Sequence, residues 1–199
     1  MLIVGTEEAV VEQELIAGLL ACPTCPGVLG PCGHARWRVL RRRGGEEERF
    51  RPRRAKCRAH ACKKTQVLLP DDTLIRRRDE VAVIGQALEA KVGGNSNDKI
   101  AAALGLSMEI VRGWVRRFAR DAEAIRAHFT RWAHALGPSL GPIKAAGDAF
   151  SDAMEAIGVA ARANVQRFGP RPVWSIASVM SGGALLCHCH TSFPFPPVP

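Results

Sequence analysis

The chain has no tyrosine, which excludes a tyrosine nucleophile, and only 6% of its 199 residues are aromatic. It also lacks any apolar run near the roughly 20 residues that a spanning helix needs. The longest, Leu15 to Cys22, is far shorter. The N-terminus has neither the basic region nor the apolar core of a cleavable leader, so no export and no membrane partner are expected. Carboxylates are scarce where strand-transfer chemistry would need them. After Arg120 the acids are Asp121, Glu123, Asp148, Asp152 and Glu155, all in helical patterns with no strand beside them. Three carboxylates holding two Mg²⁺ ions on a ribonuclease-like sheet do not fit into what remains. No serine-recombinase pattern is visible either. The chain is therefore not expected to be an enzyme, and no small-molecule substrate is expected.

What is present is positive charge, unevenly placed. The net charge is +9 and the pI near 9.7, so polyanions are the natural partners. Residues 1–33 carry four Glu and no Lys or Arg. Residues 34–64 carry ten Arg and three Lys against three Glu. Beyond residue 120 the chain is nearly neutral, so a polyanion surface belongs to the first 120 residues.

Seven cysteines without an export signal point to a reducing, cytoplasmic setting, where thiols bind metal more often than they pair. Cys22-Pro-Thr-Cys25-Pro-Gly is a metal knuckle, whose tight turn lets both thiolates face one ion. No βαβ pattern surrounds it, which argues against a thioredoxin-like redox pair. The second half is Cys57-Arg-Ala-His-Ala-Cys62. Its spacing is wider than usual, so either the knuckle is bulged or His60 replaces one thiolate. Cys32 and His34 are further candidates. Strands are predicted at Ala35–Arg43 and Glu47–Cys57 around the turn Gly44-Gly45, with a third at Thr65–Leu69 ending at Pro70. Two knuckles on a small sheet make a zinc ribbon, and tetrahedral thiolate coordination suits Zn²⁺. Its arginines, Arg41, Arg42, Arg43, Arg53 and Arg54, are dense enough to grip phosphates, or they form a solvated basic face.

Asn95 to Phe118 reads as two short helices around a tight turn. Ile100, Ala101 and Leu104 share one face of the first. Gly105 stops it, Leu106 fills the corner, and the Ser107 side chain is expected to cap the second helix. Val111, Trp114, Val115 and Phe118 form the buried stripe of that helix. With a preceding helix at about Arg76 to Val92, this is the pattern of a three-helix helix-turn-helix domain whose second helix lies in the major groove. Ser107, Met108, Glu109, Arg112 and Arg116 would face bases, and Arg117 and Arg120 phosphates. Further helices are expected from Asp121 to about Leu136, over about Ser151 to Phe168, and from Pro172 to Met180. The neutral C-terminal helices are candidates for a homodimer contact. Cys187-His-Cys-His190 opens a proline-rich tail that reads as disordered, with incidental ligand-type residues.

Cys22-Pro-x-Cys25, the basic hairpin, Cys57…Cys62 running into Val67-Leu68-Leu69-Pro70, and then Ile100-Ala101…Leu104-Gly105…Val111-Arg112-x-Trp114-x-Arg116-Arg117-Phe118 resemble a group of actinobacterial proteins. These join a zinc-binding domain of unknown function to a helix-turn-helix. They are similar to the DNA-binding front ends of insertion-sequence transposases. In that group the second knuckle is usually Cys-x-x-Cys-Gly, and here His60-Ala61 stand as an insertion. The resemblance implies DNA binding and mobile-element ancestry, not a settled activity.

The expected fold is mainly α with a small N-terminal β zinc ribbon, then a three-helix helix-turn-helix domain and C-terminal helices. The expected boundaries are an N-terminal arm over 1–20, the ribbon over 21–70, the helix-turn-helix over 71–137, a helical region over 138–182 and a tail over 183–199. The expected function is sequence-specific binding of double-stranded DNA, as a regulator or a transposase-derived protein. The alternatives are a catalytically competent transposase subunit and a zinc-ribbon module that docks on protein or RNA.

Overall fold

The computed structural model describes residues 1–187. The chain is mixed α/β, with seven helices among the described residues and a small N-terminal sheet. The first strand, β1 (Leu2–Val4), runs parallel to β6 (Thr65–Pro70), with Leu2 opposite Leu68. β6 pairs antiparallel with β5 (Arg53–Cys57), and β5 with β2 (Leu29–His34), giving the order β1-β6-β5-β2. A separate hairpin joins β3 (Arg38–Arg41) to β4 (Glu47–Phe50), with Arg38 opposite Phe50. Its turn uses Gly44 and Gly45 at φ +90° and +88°, a region costly for any residue with a Cβ.

The hairpin is where the sequence places it, but its strands are shorter. The expected strand Glu47–Cys57 breaks at Arg51-Pro52, because proline has no N–H to give to a ladder. The two pieces join different sheets. β2 was not expected: Leu-Gly-Pro-Cys-Gly-His has little strand propensity. It lies at the sheet edge, and a shift of register between Pro31 and His34 absorbs its irregularity.

The first 20 residues do not stand apart as an arm. Besides β1 they contain α1 (Glu8–Ala17), whose Val11 and Leu15 pack with Leu29, Ala55, Cys57 and Leu68. The Arg58 guanidinium donates to the carbonyls of Leu15 and Ile16 at 3.0 and 3.1 Å. It satisfies acceptors that a helix leaves free at its C-terminus, and brings the favourable charge there.

The remaining helices share one core. They are α2 (Val81–Val92), α3 (Asn97–Leu104), α4 (Met108–Arg120), α5 (Ala122–Leu136), α6 (Ala149–Phe168) and α7 (Val173–Met180). Leu74, Ile84, Leu88, Ile100, Val111, Trp114, Phe118, Phe129, Ile157 and Ile176 belong to a single buried cluster. No separate core marks a boundary at residue 137. The alanine-rich face of α6 (Ala153, Ala156, Ala160) is fully buried inside this chain, so it is not free for a second copy. Gly183 does not begin a tail: Leu185 and Leu186 are each 1% exposed. The Gly183 carbonyl accepts from Ile75 N at 2.8 Å. Residues 188–199, with most of the Cys-His-Cys-His run, lie outside the described residues.

α3 ends at Gly105, whose φ of +65° allows Leu106 N to reach back to Ala101 O at 2.9 Å. Ser107 is the N-cap of α4 but makes no side-chain cap bond, contrary to expectation. Asp121 makes none for α5 either. Asp148 is the side-chain cap the sequence reading missed, accepting from Phe150 N and Ser151 N at 2.9 and 3.0 Å.

Gly85, in the middle of α2, lies beneath the Trp174 ring. A Cβ built there would come 2.0 Å from a ring carbon. Trp174 is fixed by its indole N–H donating to Glu89 Oε1 at 2.8 Å. Alanine would gain about 1 kcal/mol of helix propensity. Displacing a buried ring costs about 1–3 kcal/mol. Gly85→Ala should therefore lower the melting temperature by several degrees, although alanine favours helix; an unchanged or raised value in calorimetry would contradict this packing.

Candidate functional site

Two tight turns bring four cysteines together at one end of the sheet. In the first, Cys22 N donates to Gly27 O at 2.8 Å, and Ala21 bridges to Val28. In the second, Cys62 N donates to Ala59 O at 3.1 Å, and Lys63 takes a left-handed φ of 51°. The two extra residues of Cys-x₄-Cys are thus taken up in the Ala59–Cys62 turn. The Sγ atoms of Cys22, Cys25, Cys57 and Cys62 all lie within 4.8 Å of one another. Cys22 to Cys62 is 3.9 Å and Cys25 to Cys57 is 3.5 Å. Four thiolates held tetrahedrally at about 2.3 Å from an ion stand about 3.8 Å apart. The four cysteines could therefore hold a metal ion.

His60 is exposed and outside this cluster, so the fourth ligand position belongs to Cys62. Cys32 and His34 are on β2 and outside it too; the His34 ring meets Arg53 instead, at 3.4 Å.

Thr24, which the sequence reading passed over, and Gly27, already part of the expected knuckle, complete the site. Thr24 Oγ1 lies 3.2 Å from Cys22 Sγ and 3.4 Å from Cys62 Sγ. Its hydroxyl, helped by its backbone, holds the Cys22 thiol down at about 6 and lowers Cys62 as well. Burial pushes Cys57 up to about 12. Gly27 donates its N–H to Cys25 Sγ at 3.4 Å. A Cβ on Gly27 would meet Ala59 Cβ at 2.8 Å and Cys57 Sγ at 3.1 Å, so only glycine fits between the knuckles. A hydroxyl within a Cys-x-x-Cys turn is the signal that could have pointed to Thr24.

The basic residues divide into engaged and free. Arg41 pairs with Asp79 at 2.9 Å. Arg42 pairs with Glu48 at 2.7 Å and with Asp72. Arg53 pairs with Glu12 at 2.6 Å. Arg43 donates its backbone N–H to Glu80 Oε2 at 3.1 Å, and its guanidinium lies 2.9 Å from the Gln86 side-chain amide. Arg117 donates to Gly113 O at 2.8 Å, and Arg120 pairs with Asp121 at 2.6 Å. By contrast, Arg36, Arg49, Arg54, Arg112 and Arg116 are exposed and make no ion pair among the described residues.

On α4, Val111, Trp114 and Phe118 are buried, while Ser107, Met108, Glu109, Arg112 and Arg116 are all exposed. At 100° per residue, Glu109, Arg112 and Arg116 occupy the face away from the buried stripe, and Met108 lies at its flank. A cleft of about 400 Å³ runs between the hairpin tip, Arg41 to Gly45, and the α3–α4 corner, Ala103 to Leu106. The basic hairpin tip and the α3–α4 corner are therefore neighbours.

No helix among the described residues is long and apolar enough to cross a membrane. Comparison of the chain with protein-family models, curated proteins and solved structures finds no match.

The geometry distinguishes the two candidate fourth ligands. Cys62→Ser should weaken metal binding by at least about tenfold, within the range for loss of a coordination partner. His60→Ala should leave binding unchanged. Titration with Co²⁺, read by its thiolate charge-transfer absorption, checks both; a loss on His60→Ala alone would overturn the assignment.

Proposed function

We propose that the chain binds Zn²⁺ through Cys22, Cys25, Cys57 and Cys62, and binds double-stranded DNA in a sequence-specific way. In this reading the sheet is a zinc ribbon, and α2, α3 and α4 are a helix-turn-helix domain with α4 in the major groove. Four thiolates in tetrahedral spacing favour Zn²⁺ over harder ions. The zinc is structural, because all four positions are protein ligands.

The observation that carries the DNA reading is the exposed face of α4. Arg112 and Arg116 stand there without an ion pair beside Glu109, opposite the stripe that anchors the helix, with Ser107 and Met108 exposed at its N-terminal end. A helix that only packed would have no need of two unpaired arginines on that face. These five residues would read base edges. Arg36, Arg49 and Arg54 are better candidates for phosphate than Arg41, Arg42 and Arg53, whose guanidinium groups already meet carboxylates. Phosphate contacts set position and base contacts set sequence.

No catalytic role is part of this reading. The protein acts as a regulator or as the targeting part of a mobile element, in the cytoplasm, with the resemblance of its motifs to transposase front ends supporting the second.

Selection of random duplex DNA by the zinc-loaded protein at near-physiological salt, followed by sequencing, tests it. An enriched motif is expected, and two-fold symmetry in it would report a homodimer. Absence of enrichment would reject sequence-specific binding. Arg112→Ala should relax preference at one base position by about 1–3 kcal/mol. Arg54→Ala should weaken all sequences about equally and reduce the salt slope by about one. Equal behaviour of the two variants would reject the division of roles.

A further inference from the structure

The four tryptophans of the chain differ sharply in surroundings. Trp114 and Trp174 are 3% and 7% exposed, and Trp132 donates its N–H to His128 at 3.1 Å. Trp37 is 59% exposed, just ahead of β3 on the basic hairpin. Nothing in the core needs it there.

The hairpin has two unlike faces. Leu40 is buried, and its cross-strand partner Glu48 turns to Arg42, so this face looks into the molecule. Val39 lies opposite Arg49 on the other face, and Trp37, just ahead of the strand, stands there too, beneath Arg49. The Arg49 guanidinium sits 5.9 Å from the Trp37 ring centroid. Arg36 is adjacent, exposed and without an ion pair. Arg41 and Arg42 of the hairpin meet carboxylates, whereas Arg36 and Arg49 make no ion pair among the described residues.

We propose that this outer face is a stacking platform for an unpaired base of single-stranded DNA, with the base on Trp37 and the strand's phosphates on Arg36 and Arg49. The inference deepens the DNA-binding reading and rests on it. A flat π surface with one guanidinium over one face and another adjacent, neither paired with a carboxylate, matches a ligand that offers a flat face to the other side of the ring and negative charge together. An acidic peptide would use the charge but leave the ring without a partner. Duplex DNA hides its base faces within the stack, so the platform needs a strand with unpaired bases, such as one beside a duplex held by α4.

The test uses the full, zinc-loaded chain, a short fluorescein-labelled oligodeoxythymidylate, and a duplex carrying the motif from the selection. Anisotropy gives both affinities. Trp37→Ala should weaken the single strand about tenfold, the scale of one stacked base. Trp37→Phe should retain most of the binding, and Arg49→Ala should lose less than Trp37→Ala. The duplex affinity of Trp37→Ala should stay within about twofold of the parent. Because the ring is exposed, the substitution leaves the core intact, and circular dichroism confirms the fold. Equal binding of the oligodeoxythymidylate by Trp37→Ala and the parent overturns the platform, as does binding of the matching oligoribonucleotide alone. Arg112→Ala separates the two claims. If it impairs the duplex while Trp37→Ala leaves the single strand unaffected, the platform fails and the duplex reading stands. If the parent binds the single strand through Trp37 but no duplex, the reverse holds.

Discussion

Three buried aspartates in the segment between β6 and α2 hold the molecule's parts in register. Asp71, Asp72 and Asp79 are each at most 9% exposed. Asp71 meets Arg171 from the segment before α7, while Asp72 and Asp79 meet Arg42 and Arg41 of the hairpin. Burial raises Asp71 and Asp79 despite these partners, so the ion pairs offset the cost of desolvation only in part. Such pairs add little net stability over well-packed apolar groups, but removing one partner leaves a charge stranded. Their role is one of position. The backbone continues it: Arg41 N donates to Arg78 O at 2.6 Å, and Glu80 N to Arg41 O at 3.0 Å. The hairpin is thereby fixed to the start of α2, and its tip comes to lie beside the α3–α4 corner.

That network also changes the meaning of the charge distribution. The acidic N-terminal segment and the basic stretch after it partly neutralise each other through Glu12 with Arg53, and Arg58 binds the carbonyls at the end of α1. The excess of arginine in residues 34–64 is therefore part scaffold and part surface. A count along the chain cannot separate the two, because the separation depends on which arginines the fold brings to a carboxylate.

Local patterns were legible in the sequence. Gly44-Gly45 and Gly105 marked turns that only positive φ allows, and the stripe Val111, Trp114 and Phe118 followed helical spacing. The cysteine pairs were legible too, though spacing alone could not choose between Cys62 and His60; that choice depends on how the Ala59–Cys62 turn closes. Long-range pairings were not legible. β1 has three residues and finds its partner more than sixty positions later. β2 is a strand against its own propensity. Gly85 looks like a weak point of a helix until Trp174, far along the chain, is laid on it. In each case tertiary context outweighs local preference. Ser107 illustrates the opposite error: a residue well suited to a local bond leaves it unmade.

The placement of β1 bears on the order in which the molecule can form. Its backbone joins β6, so its ladder can close once residue 70 has been made. Yet Ile3 packs against Gly183, so the strand gains this neighbour only when nearly all the described chain exists. Contacts this distant in sequence are slow to form, because a long loop must close before they contribute. During synthesis the cysteine knuckles and α1 can assemble early around β5 and β6, while one flank of the sheet stays open until α7 and the residues after it arrive. β1 is thus made before its partners and is among the last parts of the sheet to be covered.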